Sequence, residues 1–164
     1  MAMTDAFLEE LEMESQTTRR VLDRVPEDKL SWRPHPKSYS LGELALHIAD
    51  AVGQVSQMIT MDSMEVPSFQ QPEARSRQEI LGALDTSLKM ARDTLTGLDD
   101  AKLMAKLSIT RNGAKVMEIP KIGLLRNFLL NHHYHHRGQL TVYLRLLSVP
   151  VPSVYGPSAD EAMM

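Results

Sequence analysis

No cysteine occurs among the 164 residues. Its absence excludes disulfides, thiolate metal ligands and a cysteine nucleophile, and it fits an intracellular protein. Aromatic residues are scarce as well, at 5% with one tryptophan. A core must therefore be assembled from Leu, Val, Ile, Ala and the eleven methionines, which suits packed helices better than a sandwich of sheets. There is no run of lysine or arginine and the formal net charge is −3, so the basic footprint of a nucleic-acid binder is missing. No apolar run approaches the ~20 residues that cross a bilayer. The amino-terminal stretch from Met1 to Glu14 is acidic and lacks the apolar centre of a signal peptide. These absences lead to the expectation of a cytoplasmic protein without membrane or nucleic-acid partners. With 43% hydrophobic residues and no break in composition, one domain spanning 1-164 is expected.

What the chain does have is a concentration of histidine. Asn131-His132-His133-Tyr134-His135-His136-Arg137-Gly138-Gln139 holds four of the six histidines, inside an apolar-periodic segment running from about Pro120 to Leu147. On a helix, His132 and His136 stand one turn apart on one face, where two imidazoles can share a metal ion, while His133 and His135 splay to either side. Leu125, Leu129, His132, His136, Leu140, Tyr143 and Leu147 follow at intervals of three or four, so the pair interrupts an apolar seam. Imidazoles in such a place need a hydrogen-bonding partner or a metal.

Along the rest of the chain, Thr4 to Val25 reads as an amphipathic helix with Leu8, Leu11, Ser15, Thr18, Leu22 and Val25 as its seam. Ser15 and Thr18 stand where apolar residues would be expected; small hydroxyls there ordinarily bond back to their own helix, and otherwise line a polar cavity. A stiff connection follows, with Pro34 and Pro36 on either side of a surface His35, and Trp32 as an anchor. Ser40-Leu41-Gly42-Glu43 is a capping box that opens a second helix, about 40 to 59, which carries His47 beside its stripe. His47 alone would be structural, but a distant histidine pair lacks a third ligand. From Thr60 to Arg75, with Pro67 and Pro72, the chain reads as a loop. Extended, it could span about 50 Å against about 30 Å for a twenty-residue helix, enough for the third helix to cross over and run parallel to the second. Ser76-Arg77-Gln78-Glu79 repeats the capping pattern before Ile80, Leu84, Leu88, Ala91, Leu95 and Leu98. Leu107 to Glu118 reads as a hairpin turning at Asn112-Gly113 in type I′ geometry. The expected fold is all-α: a four-helix bundle with a small β-hairpin between helices 3 and 4, and an extended C-terminal tail after Leu147. If helices 2 and 4 are antiparallel, His47 and His132 lie at similar depth.

Three stretches taken together resemble a known family: Trp32 to His47 (WRPHPKSYSLGELALH), His132 to Gln139, and Tyr155-Gly156-Pro157-Ser158-Ala159-Asp160-Glu161. The chain resembles the DinB/YfiT-like family of metal-dependent four-helix-bundle proteins, a group distinct from the translesion polymerase of the same name. The resemblance implies a bundle, often a homodimer, in which one divalent metal ion is held by His47, His132 and His136. It also implies chemistry that in some relatives involves low-molecular-weight thiols.

Three neutral imidazoles would leave the ion, zinc or nickel first and manganese or iron next, with its charge and an open position. Water or an external low-molecular-weight thiol could be activated there for hydrolysis or transfer of a small-molecule substrate. Asp50 and Gln139, each three residues beyond a candidate ligand, could hydrogen-bond the rings and fix their orientation. Arg137 could bind an anionic substrate, though a surface ion pair is the simpler reading, and Gly138 could admit a close helix contact. Two non-catalytic alternatives stand beside the enzyme: a metal-binding or stress-response interaction module braced by the ion, and a pH-sensitive interface of histidines.

Overall fold

The computed structural model describes residues 3–66 and 70–162; Pro67 lies outside them. The molecule is mostly helical with one small sheet. Helix α1 is Met3–Leu22, α2 is Leu41–Ile59 and α3 is Arg77–Thr96. A short α4, Asp100–Met104, follows α3. The last long helical run comprises α5 (Lys121–Leu124), a π-helical segment Leu125–Asn131, and α6 (His132–Leu146).

Local chemistry explains the helix starts. The Ser40 hydroxyl accepts from the Glu43 N–H while the Glu43 carboxylate accepts from the Ser40 N–H, so the capping box is complete. At α3 only half of it forms: Ser76 caps Glu79, but the Glu79 carboxylate takes the N–H of Arg75 instead.

Side-chain pairs give the directions. Arg19–Asp85 and Arg92–Glu12 place α1 antiparallel to α3. The Gly53 and Gln57 contacts with Ser87 and Thr94 ascend together, so α2 and α3 run parallel. His47 faces His132 and His136, and the Tyr143 hydroxyl donates to the Tyr39 carbonyl, so α2 and α6 run antiparallel. The core between these runs is made of aliphatic side chains such as Leu22, Leu44, Ile48, Leu84, Leu125 and Leu140, all essentially inaccessible to water.

Two expectations change. The stretch from Thr60 to Arg75 is not all loop: Ser63–Glu65 forms a strand, β1, parallel to β2 (Lys106–Arg111), which pairs antiparallel with β3 (Ala114–Pro120). The parallel edge strand has only three residues, too short for an alternation pattern to mark it. The turn joining β2 and β3 is as expected, with positive φ at Asn112 (52°) and Gly113 (78°).

The histidine helix is also not one uniform α-helix. The His132 N–H donates to the Asn127 carbonyl, five residues back. A π turn takes up about one more residue than an α turn, so the buried face is displaced. After Leu129 it passes through His133, Arg137, Leu140 and Leu144, leaving His132 and His136 half-buried beside it.

Helices α2 and α3 approach closely at Gly53. A Cβ built there would lie 2.9 Å from Ser87 Oγ and 3.0 Å from Ser87 Cα, and the Ser87 hydroxyl accepts the Gly53 N–H at 2.6 Å. Gly53→Ala is therefore expected to lower unfolding free energy by about 1–3 kcal/mol through overpacking, measured by urea denaturation. Gly82→Ala, where a Cβ meets nothing within 4 Å, should be neutral or stabilising in the same assay.

Candidate metal centre

Three imidazoles converge between α2 and α6. One ring nitrogen from each of His47, His132 and His136 lies within 4.8 Å of the others. The ring centroids are 4.4–5.2 Å apart and each pair is close to perpendicular. His47 is 7% exposed, and the other two are half-buried at the helix flank. The arrangement follows from the antiparallel pairing: α2 brings one histidine from mid-helix, and α6 offers two from successive turns.

Amide groups orient two of the rings. His47 Nδ1 lies 3.1 Å from Gln71 Oε1, and Gln71 Nε2 donates to the Pro72 carbonyl, which identifies the oxygen as the atom facing the histidine. His136 Nδ1 lies 2.7 Å from Gln139 Oε1. An amide oxygen only accepts, so both imidazoles carry their hydrogen on Nδ1 and His136 turns a lone pair on Nε2 inward. That nitrogen is 2.9 Å from His132 Nε2, whose hydrogen lies between them in the metal-free chain. His132 Nδ1 is then a buried acceptor with no partner among the described residues. Moving that one hydrogen from Nε2 to Nδ1 of His132 would free its lone pair beside those of His47 and His136 while keeping all three rings neutral, and the set fits an ion that favours imidazole.

The pKa of each triad histidine is lowered, by burial first. His136 adds to the effect at His47 and Gln71 opposes it; His47 and then His135 act on His132; Gln139 opposes the shift of His136 while His132 and His135 deepen it. Neutral imidazole is the form that binds metal. The Tyr39 ring lies 5.9 Å from that of His47; its carbonyl accepts from the Tyr143 hydroxyl, and Tyr143 packs edge-on to Trp32 at 5.7 Å.

Some residues stand elsewhere than expected. Asp50 lies at the contact with α3, where its carbonyl accepts from Ser87. Burial and then Glu79 raise its carboxyl pKa. Among the described residues, Gln71 of the connection between β1 and α3 is a hydrogen-bonding neighbour of His47. No helical spacing links positions 47 and 71, and one of two adjacent glutamines in a loop, Gln70 and Gln71, leaves no sequence signal.

Arg137 is not on the surface: it is 1% exposed and paired with Glu14 at 2.6 Å. His133, expected to splay aside, is 3% exposed with Nε2 2.8 Å from Thr18 Oγ1. The π turn brings both inward. Ser15 bonds back to the Glu12 carbonyl, as small hydroxyls ordinarily do, whereas Thr18 lines a polar contact. His35 is exposed. Gly138 is exposed too, and a Cβ there would meet nothing within 4 Å.

A model of the DinB family matches residues 1–163. The uncharacterized protein YrdA of Bacillus subtilis is 27% identical over 158 residues, covering 96% of this chain and 90% of that one. A DinB-like protein from Bacillus cereus superposes with a TM-score of 0.73 at 24% identity, covering 92% of this chain and 97% of that one. The DinB-like protein YjoA from Bacillus subtilis gives 0.69 at 20% identity, with 96% and 99% covered. The two structures share the fold.

Protonation links this site to stability. His133 is pushed down to about 3, by burial first and then by Arg137 and the three neighbouring histidines. The unfolded histidine titrates near 6.5, so between these values the unfolded chain binds more protons. The contribution of His133 to stability is full above about pH 6.5 and is lost as the pH is lowered toward 3, by up to about 1.4 kcal/mol per pH unit. Urea denaturation of metal-free protein between pH 7.5 and 4 measures the slope; a flat profile contradicts the assignment.

Proposed function

Because the chain belongs to the DinB family and gathers three imidazole nitrogens within reach of one cation, we propose that it is a divalent-metal-dependent enzyme whose ion is held by His47, His132 and His136. The observation that carries this reading is the convergence of the three nitrogens from two helices. The four long helical runs are taken as a four-helix bundle, with the centre between its second and fourth members. Zinc or nickel is the favoured ion for an all-imidazole set, with manganese or iron next. When bound, such an ion supplies a Lewis acid with an open position, able to bring the pKa of water toward about 7 and to acidify a thiol likewise.

The chain's own residues do the rest. Gln71 and Gln139 fix the hydrogens of His47 and His136 on Nδ1, so that Nε2 is the donor nitrogen of each. Burial lowers the pKa of all three rings and so favours the neutral form that binds a metal. Tyr39, Trp32 and Tyr143 offer an apolar, aromatic approach on the His47 side. The chain has no cysteine, so a thiol nucleophile must come from outside. The substrate is a small molecule and the reaction is hydrolysis by water or transfer to a low-molecular-weight thiol.

A homodimer is proposed with it, formed by the outer face of α6. Val142 and Leu146 are exposed there at 57% and 58%, with Phe128 of the preceding π-helical segment at 45%, and a Cβ built at Gly138 would meet nothing within 4 Å. A glycine inside a helix costs about 1 kcal/mol relative to alanine, which a close approach by a second copy would justify.

Elemental analysis of tag-free protein is expected to find about one divalent ion per chain. His47→Ala, His132→Ala and His136→Ala should each lose it, and Gln139→Ala should bind it about 10–100-fold more weakly. Equal metal content in wild type and all three histidine variants contradicts the ligand set. For the dimer, Val142→Glu should shift the sedimentation coefficient from dimer to monomer; a wild-type chain that sediments as a monomer rejects that interface.

A further inference from the structure

Helix α6 carries polar groups on two adjacent faces, and the proposed chemistry uses only one. His133 and Arg137 follow His132 and His136 by one residue, about 100° around the helix, and face α1. Arg137 Nη1 donates to the Glu14 carbonyl and to Thr18 Oγ1, both at 3.1 Å. Its Nη2 donates to the Tyr155 hydroxyl at 2.7 Å and pairs with Glu14 Oε2 at 2.6 Å. The guanidinium lies 5.3 and 5.1 Å from the ring centres of Tyr134 and Tyr155.

A guanidinium cannot accept, so Thr18 accepts from Arg137 and its own hydrogen is available to His133 Nε2. The Tyr155 hydroxyl donates onward to Glu14 at 3.0 Å. Glu14, Tyr155, Arg137, Thr18 and His133 are thus one connected network. Tyr155 belongs to the tail, which is clamped to α1 by Arg20–Glu161 and to α6 by Arg145–Asp160, both at 2.5 Å.

Burying a guanidinium is not the cheapest way to join two helices; an apolar side chain of similar size is often as stable or more so. What the planar fork adds is direction. A rotation of α6 by about 10° moves a group at the ~6 Å outer radius of a helix by about 1 Å. Metal–ligand distances tolerate about 0.2 Å. Apolar contacts resist such a rotation poorly because burial is non-directional, and the π-helical segment immediately before His132 is where the rotational register of α6 is set.

We infer that Thr18, Arg137, Glu14 and Tyr155 are positioning residues for the triad: on the α1 side they fix the rotation of α6 about its axis, and thereby place His132 and His136 against His47 on the α2 side. The inference rests on the metal reading above. It gives the Tyr155 to Glu161 segment a role in the centre without contact with the ion.

The test uses Co(II) as the probe, titrated into full-length wild type, Tyr155→Phe and Thr18→Val, following the visible ligand-field bands. Leu103→Ala, in α4 and fully buried, serves as a destabilised control, and metal-free melting temperatures are recorded for all four. Both network variants are expected to bind Co(II) about tenfold more weakly, with an altered band, while Leu103→Ala melts lower but keeps the wild-type affinity and spectrum. Tyr155→Phe removes one hydroxyl from a residue that is 69% exposed, so it remains informative if Thr18→Val fails to fold. Wild-type affinity and spectrum in both network variants overturn the inference. So does a loss of affinity that Leu103→Ala shares. A wild-type chain that takes up no Co(II) overturns the metal reading, and the inference with it.

Discussion

Helix α6 has to put polar rings and a guanidinium into an apolar interior in two directions at once, and each of those groups needs a partner to be there. An unpartnered polar group in a core costs about 1–3 kcal/mol, and a charge considerably more. The remaining elements can be understood as supplying those partners. Helix α1 brings Thr18 and Glu14 to His133 and Arg137, α2 brings His47 to the opposite side, and the tail closes over Arg137 with Tyr155. His132 Nδ1 and His133 Nδ1 are the buried side-chain atoms left without a partner among the described residues. Both belong to the histidine run itself.

That division of labour explains why the helices run as they do. The antiparallel pairing of α2 with α6 sets one histidine against two at equal depth. The parallel pairing of α2 with α3 requires a long return, and the chain uses that return twice. It adds β1 to the edge of the hairpin, and it carries Gln71 back to His47. Surface ion pairs such as Lys89–Asp93 decorate this frame, and exposed pairs of that kind contribute little. The frame is held by aliphatic burial and by close contacts such as Gly53 on Ser87, while the buried polar networks give it direction.

Much of this was legible in the sequence because it is local or periodic. The Ser40–Glu43 capping box, the Asn112-Gly113 turn and the spacing of His132, His136 and Gln139 each depend on residues no more than seven positions apart, and each is found as spelled. The contact of His47 with the pair was legible only through an assumed helix direction and a family resemblance. What stayed hidden is non-local. Gln71 meets His47 across 24 positions, β1 has too few residues for a pattern, and α4 is barely more than one turn long. The most instructive difference is at Arg137. A regular 3.6-residue count from Leu125 sends it toward solvent, whereas the π turn sends it inward. Helical periodicity carries over a distance only while the helix remains an α-helix.

The central claim is that one cation is held by imidazole nitrogens drawn from both α2 and α6. X-ray absorption at the edge of the metal carried by the purified protein measures that coordination directly. Three nitrogen scatterers at about 2.0–2.1 Å, with the outer-shell pattern of imidazole rings, are predicted for a zinc centre. A shell dominated by carboxylate oxygen, or one whose imidazole signal is unchanged in His47→Ala, would contradict it.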